Sequence, residues 1–392
     1  MPQGIVICSQ NALQADHDHM HAMGQLTAWG LQDFVSHQAM GRSHQHHYRL
    51  QKACARNNLP HFDTLCLAEK FKLAHLSPEQ ALCRETVLAL LDSPVLLTFP
   101  SLDEFISAVR MRCNIVEAAR RTAMDFHTER VDRPVDYWEY QEDKGFLLKP
   151  GKCLIEALLH ATQPEVSGKL YAFSCYRATE YVILLGIAQE ARISHPTLFS
   201  QIVAQWQQQP IASGRFHDVF LREWGSNEEP LPATWFVPGD RVWFRNPDDA
   251  SSDIEGYEGS WVIYLGQGLF ANFWDSQRPY DLQTKAIELF HWRHGVRQSE
   301  QGGLYMDEEA VAKLVRQTCQ DPAKVRQVTE RMLRLRDPKG VYAEGGCLDT
   351  TRETPRWVRP GTTDIALPSL DETAHLRVPG LPHPESPWHQ VS

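Results

Sequence analysis

No stretch of this sequence approaches the roughly 20 consecutive apolar residues needed to cross a bilayer. The best run, Tyr181 to Ala188, is far shorter. The N-terminus offers only Ile5, Val6, Ile7 and Cys8 as an apolar core, with no basic flank, so a secretory leader is not expected. Basic charge is also scarce: 39 Lys and Arg stand against 49 Asp and Glu, a net charge of −10. That balance lacks the electrostatic footprint of a general nucleic-acid binder. The nine cysteines, at 8, 54, 66, 83, 113, 153, 175, 319 and 347, are odd in number and form no Cys-x-x-Cys pair. This speaks against a zinc ribbon or a disulfide framework and for reduced thiols in a cytoplasmic protein. Internal repeats are missing too. What remains is an ordinary globular composition over 392 residues, enough for two modest domains or one with extensions.

Four regions differ in texture. Residues 1–100 form a His-rich N-terminal extension, partly helical. His17, His19 and His21 alternate, and His44, His46 and His47 make a second cluster. Imidazoles in such groups suit zinc, copper or nickel, but no thiolate or spaced fourth ligand completes a structural site. The expectation here is a solvated, weakly ordered arm with no metal. Ser77-Pro78-Glu79-Gln80 predicts a capped helix start, and Ser101-Leu102-Asp103-Glu104 predicts a second capping box. In the central region, Asp136–Tyr140 and Phe146–Leu148 read as short strands, and Lys152–Ala161, Arg177–Ala191 and Thr197–Gln207 as helices. From Trp235 the pattern turns to period two. Arg241–Phe244, Trp261–Leu265 and Leu269–Phe273 are expected strands, with Gly266-Gln267-Gly268 as a tight hairpin. Residues 296–336 read as a helical pair with acidic caps at Asp307 and Asp321. Residues 337–392 hold eight of the 24 prolines and read as an extended tail.

The run carrying most chemistry is Tyr171-Ala172-Phe173-Ser174-Cys175-Tyr176-Arg177, an apolar lead-in meeting a cysteine at a helix start. Helix N-termini carry partial positive charge and free amide N–H groups. Both favour the thiolate, which is the nucleophile, and the same N–H groups can hold an oxyanion. A small buried hydrophobe is the competing reading of such a cysteine. The second run is Gly239-Asp240-Arg241-Val242-Trp243-Phe244 followed by Gly259 to Asn272, a strand pair of the kind that presents base and orienting groups in NlpC-type cell-wall peptidases. Its competing reading is two ordinary antiparallel strands.

With these motifs in place, the chain resembles the protein-glutamine gamma-glutamyltransferases (transglutaminases) of the bacillus spore-coat type. The resemblance runs from Ser101-Leu102-Asp103-Glu104 through Met111 to Ala119, Tyr137-Trp138 and Tyr171 to Cys175. It then continues at Gly239-Asp240, Phe244 to Pro247 and Val262 to Gly266. It implies an α+β, papain-like (NlpC-type) cysteine acyl-transfer fold over 101–295, an antiparallel sheet packed on helices, with helical N- and C-terminal extensions. It implies Cys175 as nucleophile and no cofactor. The family's catalytic glutamate aligns with Ser260 and its histidine with Asn272, neither of which can act as a base at neutral pH. Glu258, two residues before Ser260, shares its side of a regular strand and is the best candidate acid. His217, His291, His294 and Asp275 are further candidates.

The resemblance therefore predicts thiol acyl transfer on protein glutamine, cross-linking it to lysine, on protein substrates with exposed Gln and Lys. Two alternatives stand beside it. One is glutamine deamidation or another thiol hydrolysis on the same fold. The other is a catalytically impaired binding module.

Overall fold

The apolar run near the N-terminus does not begin an arm. Gly4–Cys8 is strand β1, buried along most of its length, and it leads through helix α1 (Ala12–Ala28) to β2 (Val35–Ala39) and β3 (Gln45–Leu50). A short helix α2 (Leu67–Lys70), α3 (Pro78–Leu91) and β4 (Leu96–Phe99) complete a four-stranded sheet of order β2-β3-β1-β4. This corrects the expectation of a weakly ordered segment. The reason lies in the register: β3 sets His46, Tyr48 and Leu50 on the core face and His47 on the other. A polar composition thereby hides a half-buried strand. Burial, then the charges of His19 and His46, pushes the His37 pKa down to about 4, so its ring packs as a neutral group. The computed structural model describes residues 3–40, 44–51, 62–125, 132–336 and 345–369.

Helix α4 (Leu102–Arg121) opens the central unit, followed by the hairpin β5 (Trp138–Gln141) and β6 (Gly145–Leu148). Helices α5 (Leu154–Thr162), α6 (Pro164–Ser167), α7 (Cys175–Ser194), α8 (Pro196–Gln208) and α9 (Ser213–Phe220) come next. Strands β7 (Leu221–Trp224) and β8 (Arg241–Arg245) follow, then α10 (Asp249–Ser252), β9 (Gly259–Gly266), β10 (Leu269–Phe270) and β11 (Tyr280–Asp281). The chain continues through α11 (Leu282–Gly295), the pair β12 (Val296–Gln298) and β13 (Leu304–Met306), α12 (Glu308–Cys319), α13 (Pro322–Met332) and β14 (Arg352–Pro355).

The main sheet has the order β11-β10-β9-β8-β14-β7, and all its pairings are antiparallel. Alternation along β9 divides two cores. Ile263 and Leu265 join the core built on α4, α5 and α7, whereas Val262 and Tyr264 join the core under α11 and α13. The fold is thus α+β with helices on both faces of an antiparallel sheet.

Two local expectations change. The returning strand of the hairpin ends at Phe270, not Phe273. The turn itself is a two-residue loop, Gln267 and Gly268, both at positive φ (58° and 71°), as a type I′ hairpin requires. Residues 352–355, read as tail, form a strand within the main sheet between β8 and β7. Of that segment, 337–344 and 370–392 lie outside the described residues.

Candidate active site

Cys175 is the first residue of α7, and Ser174 caps the helix by accepting the Arg177 N–H at 3.3 Å. The thiol therefore stands among the free amides of a helix start. It lies against β9: the backbone amides of Trp261 and Tyr176 both favour its thiolate form. Burial pushes the thiol pKa up. The Trp261 N–H, the Lys285 ammonium and the Tyr176 N–H pull it back, and the Glu258 carboxylate adds to the rise. As a residue Cys175 remains partly exposed.

Lys285 is the unexpected neighbour. It is 2% exposed, one turn into α11, with its ammonium 4.1 Å from the Tyr280 ring centroid and 3.4 Å from both Glu288 oxygens. Burial works against its charge, but Glu288, Tyr280 and Cys175 outweigh burial and hold its pKa above the ordinary lysine value. It stays an ammonium at neutral pH. Such a group stabilises a neighbouring thiolate and can protonate a leaving group, but it is a poor base.

The other candidates fall on either side of this centre. Glu258 is exposed at the start of β9 and acts on the thiol through its negative charge. Ser260 pairs with Phe244 across β8 and so shares the face packed by α11, the helix of Lys285. Asn272 lies beyond β10 and fastens the following loop: its Nδ2 donates to the Arg278 carbonyl at 2.9 Å, and its Oδ1 accepts from the N–H groups of Trp274 and Asp275. Asp275 faces Arg278 in the same loop. His217 is 2.8 Å from Glu353, which raises its pKa. Glu353 also pairs with Arg241, whose guanidinium lies over the rings of Trp261 and Tyr176 at 4.6 and 4.9 Å. His217 thus belongs to a buried ionic layer behind Trp261. His291 and His294 contact one another, and His291 reaches Thr318 on α12 at 2.7 Å. Burial pushes the His291 pKa down to about 4.

The sequence model for protein-glutamine gamma-glutamyltransferase matches residues 67–366, well over half of the chain. The chain belongs to the protein-glutamine gamma-glutamyltransferase family. The match starts ahead of Ser101 and runs past β14, so α3, β4 and the C-terminal strand fall within the family region. A protein-glutamine gamma-glutamyltransferase of Halalkalibacterium halodurans is 25% identical over 195 residues, covering 48% of this chain and 62% of the relative. The chain therefore spans somewhat less than two thirds of that relative's length. Among solved structures, the transglutaminase from Geobacillus stearothermophilus without its C-terminal extension aligns with a TM-score of 0.37 and 20% identity. That alignment covers 55% of this chain and 98% of the other.

In this transglutaminase-family chain, Lys285 is the residue that sequence reasoning passed over. Its signal was present. Leu282, Lys285, Ala286, Leu289 and Trp292 follow helical spacing, which places a lysine on the buried face of α11. A buried lysine electrostatically coupled to a buried thiol is the type of perturbed group that marks functional sites.

Proposed function

We propose that this chain is a thiol acyl transferase acting on protein glutamine, with Cys175 as nucleophile. One observation carries the reading: the Cys175 sulfur sits at a helix N-terminus, beside Trp261 of β9 and within electrostatic reach of the buried Lys285 ammonium. In the proposed reaction the thiolate attacks the glutamine carboxamide. A C–S bond forms, the C–N bond breaks, and ammonia departs carrying a proton delivered by Lys285. A substrate lysine amine then attacks the thioester, an isopeptide bond forms, the thiolate leaves, and the excess amine proton returns to Lys285. Lys285 thus supplies the acid that Ser260 and Asn272 cannot. Glu258 tunes the thiol by its charge, Ser260 lines the same face, and Asn272 holds the loop leading to β11. The acyl-transfer unit is proposed to span 101–295, with 1–100, 296–336 and 337–392 as additions, of which β14 completes the main sheet.

The second reading, a binding module on the same fold, is favoured by one observation, the engagement of Asn272 in its own turn. The two separate by experiment. The purified chain is incubated with an amine donor and a glutamine-containing protein, beside Cys175→Ala. Amine incorporation abolished in the variant is expected. Ammonia release without incorporation would select the deamidase, and equal traces from both proteins would leave the binding module.

A further inference from the structure

The six histidines that alternate or adjoin in the N-terminal sequence do not converge as the sequence lists them. In a helix, residues two apart point to opposite sides. His17 and His21 accordingly lie against each other, ring centroids 4.0 Å apart and tilted, and His19 alone turns to the sheet. In a strand, adjacent residues point to opposite faces. His46 faces α1, whereas His47 reaches the Gln3 carbonyl on the other side. The third member comes from outside both clusters: His37, on the edge strand β2. His19, His37 and His46, from three separate elements, bring one ring nitrogen each to within 4.8 Å of one another.

We propose that these three imidazoles form a binding site for a divalent cation of the zinc class, clipping α1 to the β2–β3 hairpin. Three ring nitrogens of one chemical type lie within 4.8 Å of one another, from rings now stacked on each other, and neutral imidazole is a preferred ligand of zinc and its neighbours. A tetrahedral ion with metal–nitrogen bonds near 2.0–2.1 Å sets its ligand nitrogens about 3.3 Å apart. The observed spacings bracket that value, from 2.7 Å between His37 Nε2 and His46 Nδ1 to the 4.8 Å limit of the group. Ring rotation closes the difference: His37 is exposed, and in turning it gives up its hydrogen bond to His46 and its stacking on His19. The hydrogen now held between His37 and His46 moves to the far nitrogen of its own ring. His19 is oriented by the Tyr48 hydroxyl, 2.9 Å from its Nδ1, the kind of partner that fixes a metal-binding imidazole. His46 is buried, His19 half-buried and His37 exposed, so an ion enters from solvent at β2 and a water completes its fourth position.

The test uses the full chain, free of any affinity tag and stripped with a chelator. Calorimetric titration with Zn²⁺ is expected to show one equivalent bound and a higher thermal transition for the loaded chain. Tyr48→Phe should weaken binding by about 10–100-fold, and His37→Gln by more than that, with its far-UV spectrum unchanged because the ring is exposed. His17→Gln and His21→Gln should bind as the native chain does. Substitution by Co²⁺ reads the ligand set: an absorption spectrum without thiolate-to-metal charge transfer is expected. Absence of saturable binding, binding that survives His37→Gln undiminished, or a thiolate band placing the ion on a cysteine would each overturn the proposal.

Discussion

Lys285 and Glu258 act on one sulfur with opposite signs. The ammonium favours the thiolate and the carboxylate disfavours it, while burial lifts the thiol above the usual range of about 8.5. Alkylation of Cys175 by iodoacetamide should therefore quicken as pH rises into the alkaline range. Lys285→Met removes the favourable charge, and its alkylation profile should shift to higher pH. Glu258→Gln removes the unfavourable one and should shift the profile to lower pH. If both variants kept the native profile, neither charge would reach the sulfur. Amine incorporation separates the roles further: loss of a proton donor of this kind typically costs about 10²–10⁴-fold in rate, so Lys285→Met should fall in that range. Glu258→Gln should retain activity.

At the scale of elements, two close approaches hold the cysteine helix and its hairpin in place. Gly186 lies in the middle of α7, and a Cβ there would meet Ile115 Cγ1 of α4 at 2.4 Å and its backbone N at 3.0 Å. Alanine would gain about 1 kcal/mol in helix propensity but overpack the contact at a cost of about 1–3 kcal/mol. Gly186→Ala should therefore lower stability in a urea melt by about 1 kcal/mol, against the propensity trend. The hairpin between β9 and β10 is held by Glu85 of α3, which accepts the Gln267 N–H at 2.6 Å and lies near the Tyr264 hydroxyl. Burial pushes the Glu85 pKa up to about 7, with the hairpin N–H and Tyr264 opposing. The folded chain thus binds this proton more tightly than the unfolded chain. The stability it contributes is full below the ordinary carboxylate value and is lost as pH climbs to about 7. Native protein should lose stability between pH 5 and 7 relative to Glu85→Gln, whose melting temperature should vary less over the same interval.

Across the whole molecule, the C-terminal segment closes the structure around α4. Arg112, 5% exposed, donates to the Val237 and Pro238 carbonyls and pairs with Asp240 at 2.8 Å ahead of β8, and it also reaches Thr354 on β14. Removing one partner of a buried ion pair strands the other, at about 3–5 kcal/mol. Arg112→Ala should lose stability of that size by chemical denaturation and loosen β14, whereas an exposed pair such as Arg121 with Glu165 should contribute about 1 kcal/mol or less. Glu104 makes the same closure visible in another way. Ser101 caps α4 as expected, but the Glu104 carboxylate does not complete the capping box. It accepts the N–H groups of Val358 and Arg359 and the Thr362 hydroxyl instead.

The sequence by itself determined what depends on near neighbours. The Ser77 capping box formed with both hydrogen bonds, Gly268 took the positive φ that its hairpin needed, β9 alternated between two cores, and Cys175 opened its helix. Each of these rests on contacts within a few residues, or on the helical and strand periods, and both are legible in order. Tertiary structure alone decided which distant groups meet. Lys285 came to Cys175, His37 joined His19 and His46, Glu104 turned to the C-terminal segment, and β14 entered the sheet. Those meetings follow from how buried faces pack, and a linear pattern of polar and apolar residues specifies that a face is buried without naming the partner that covers it.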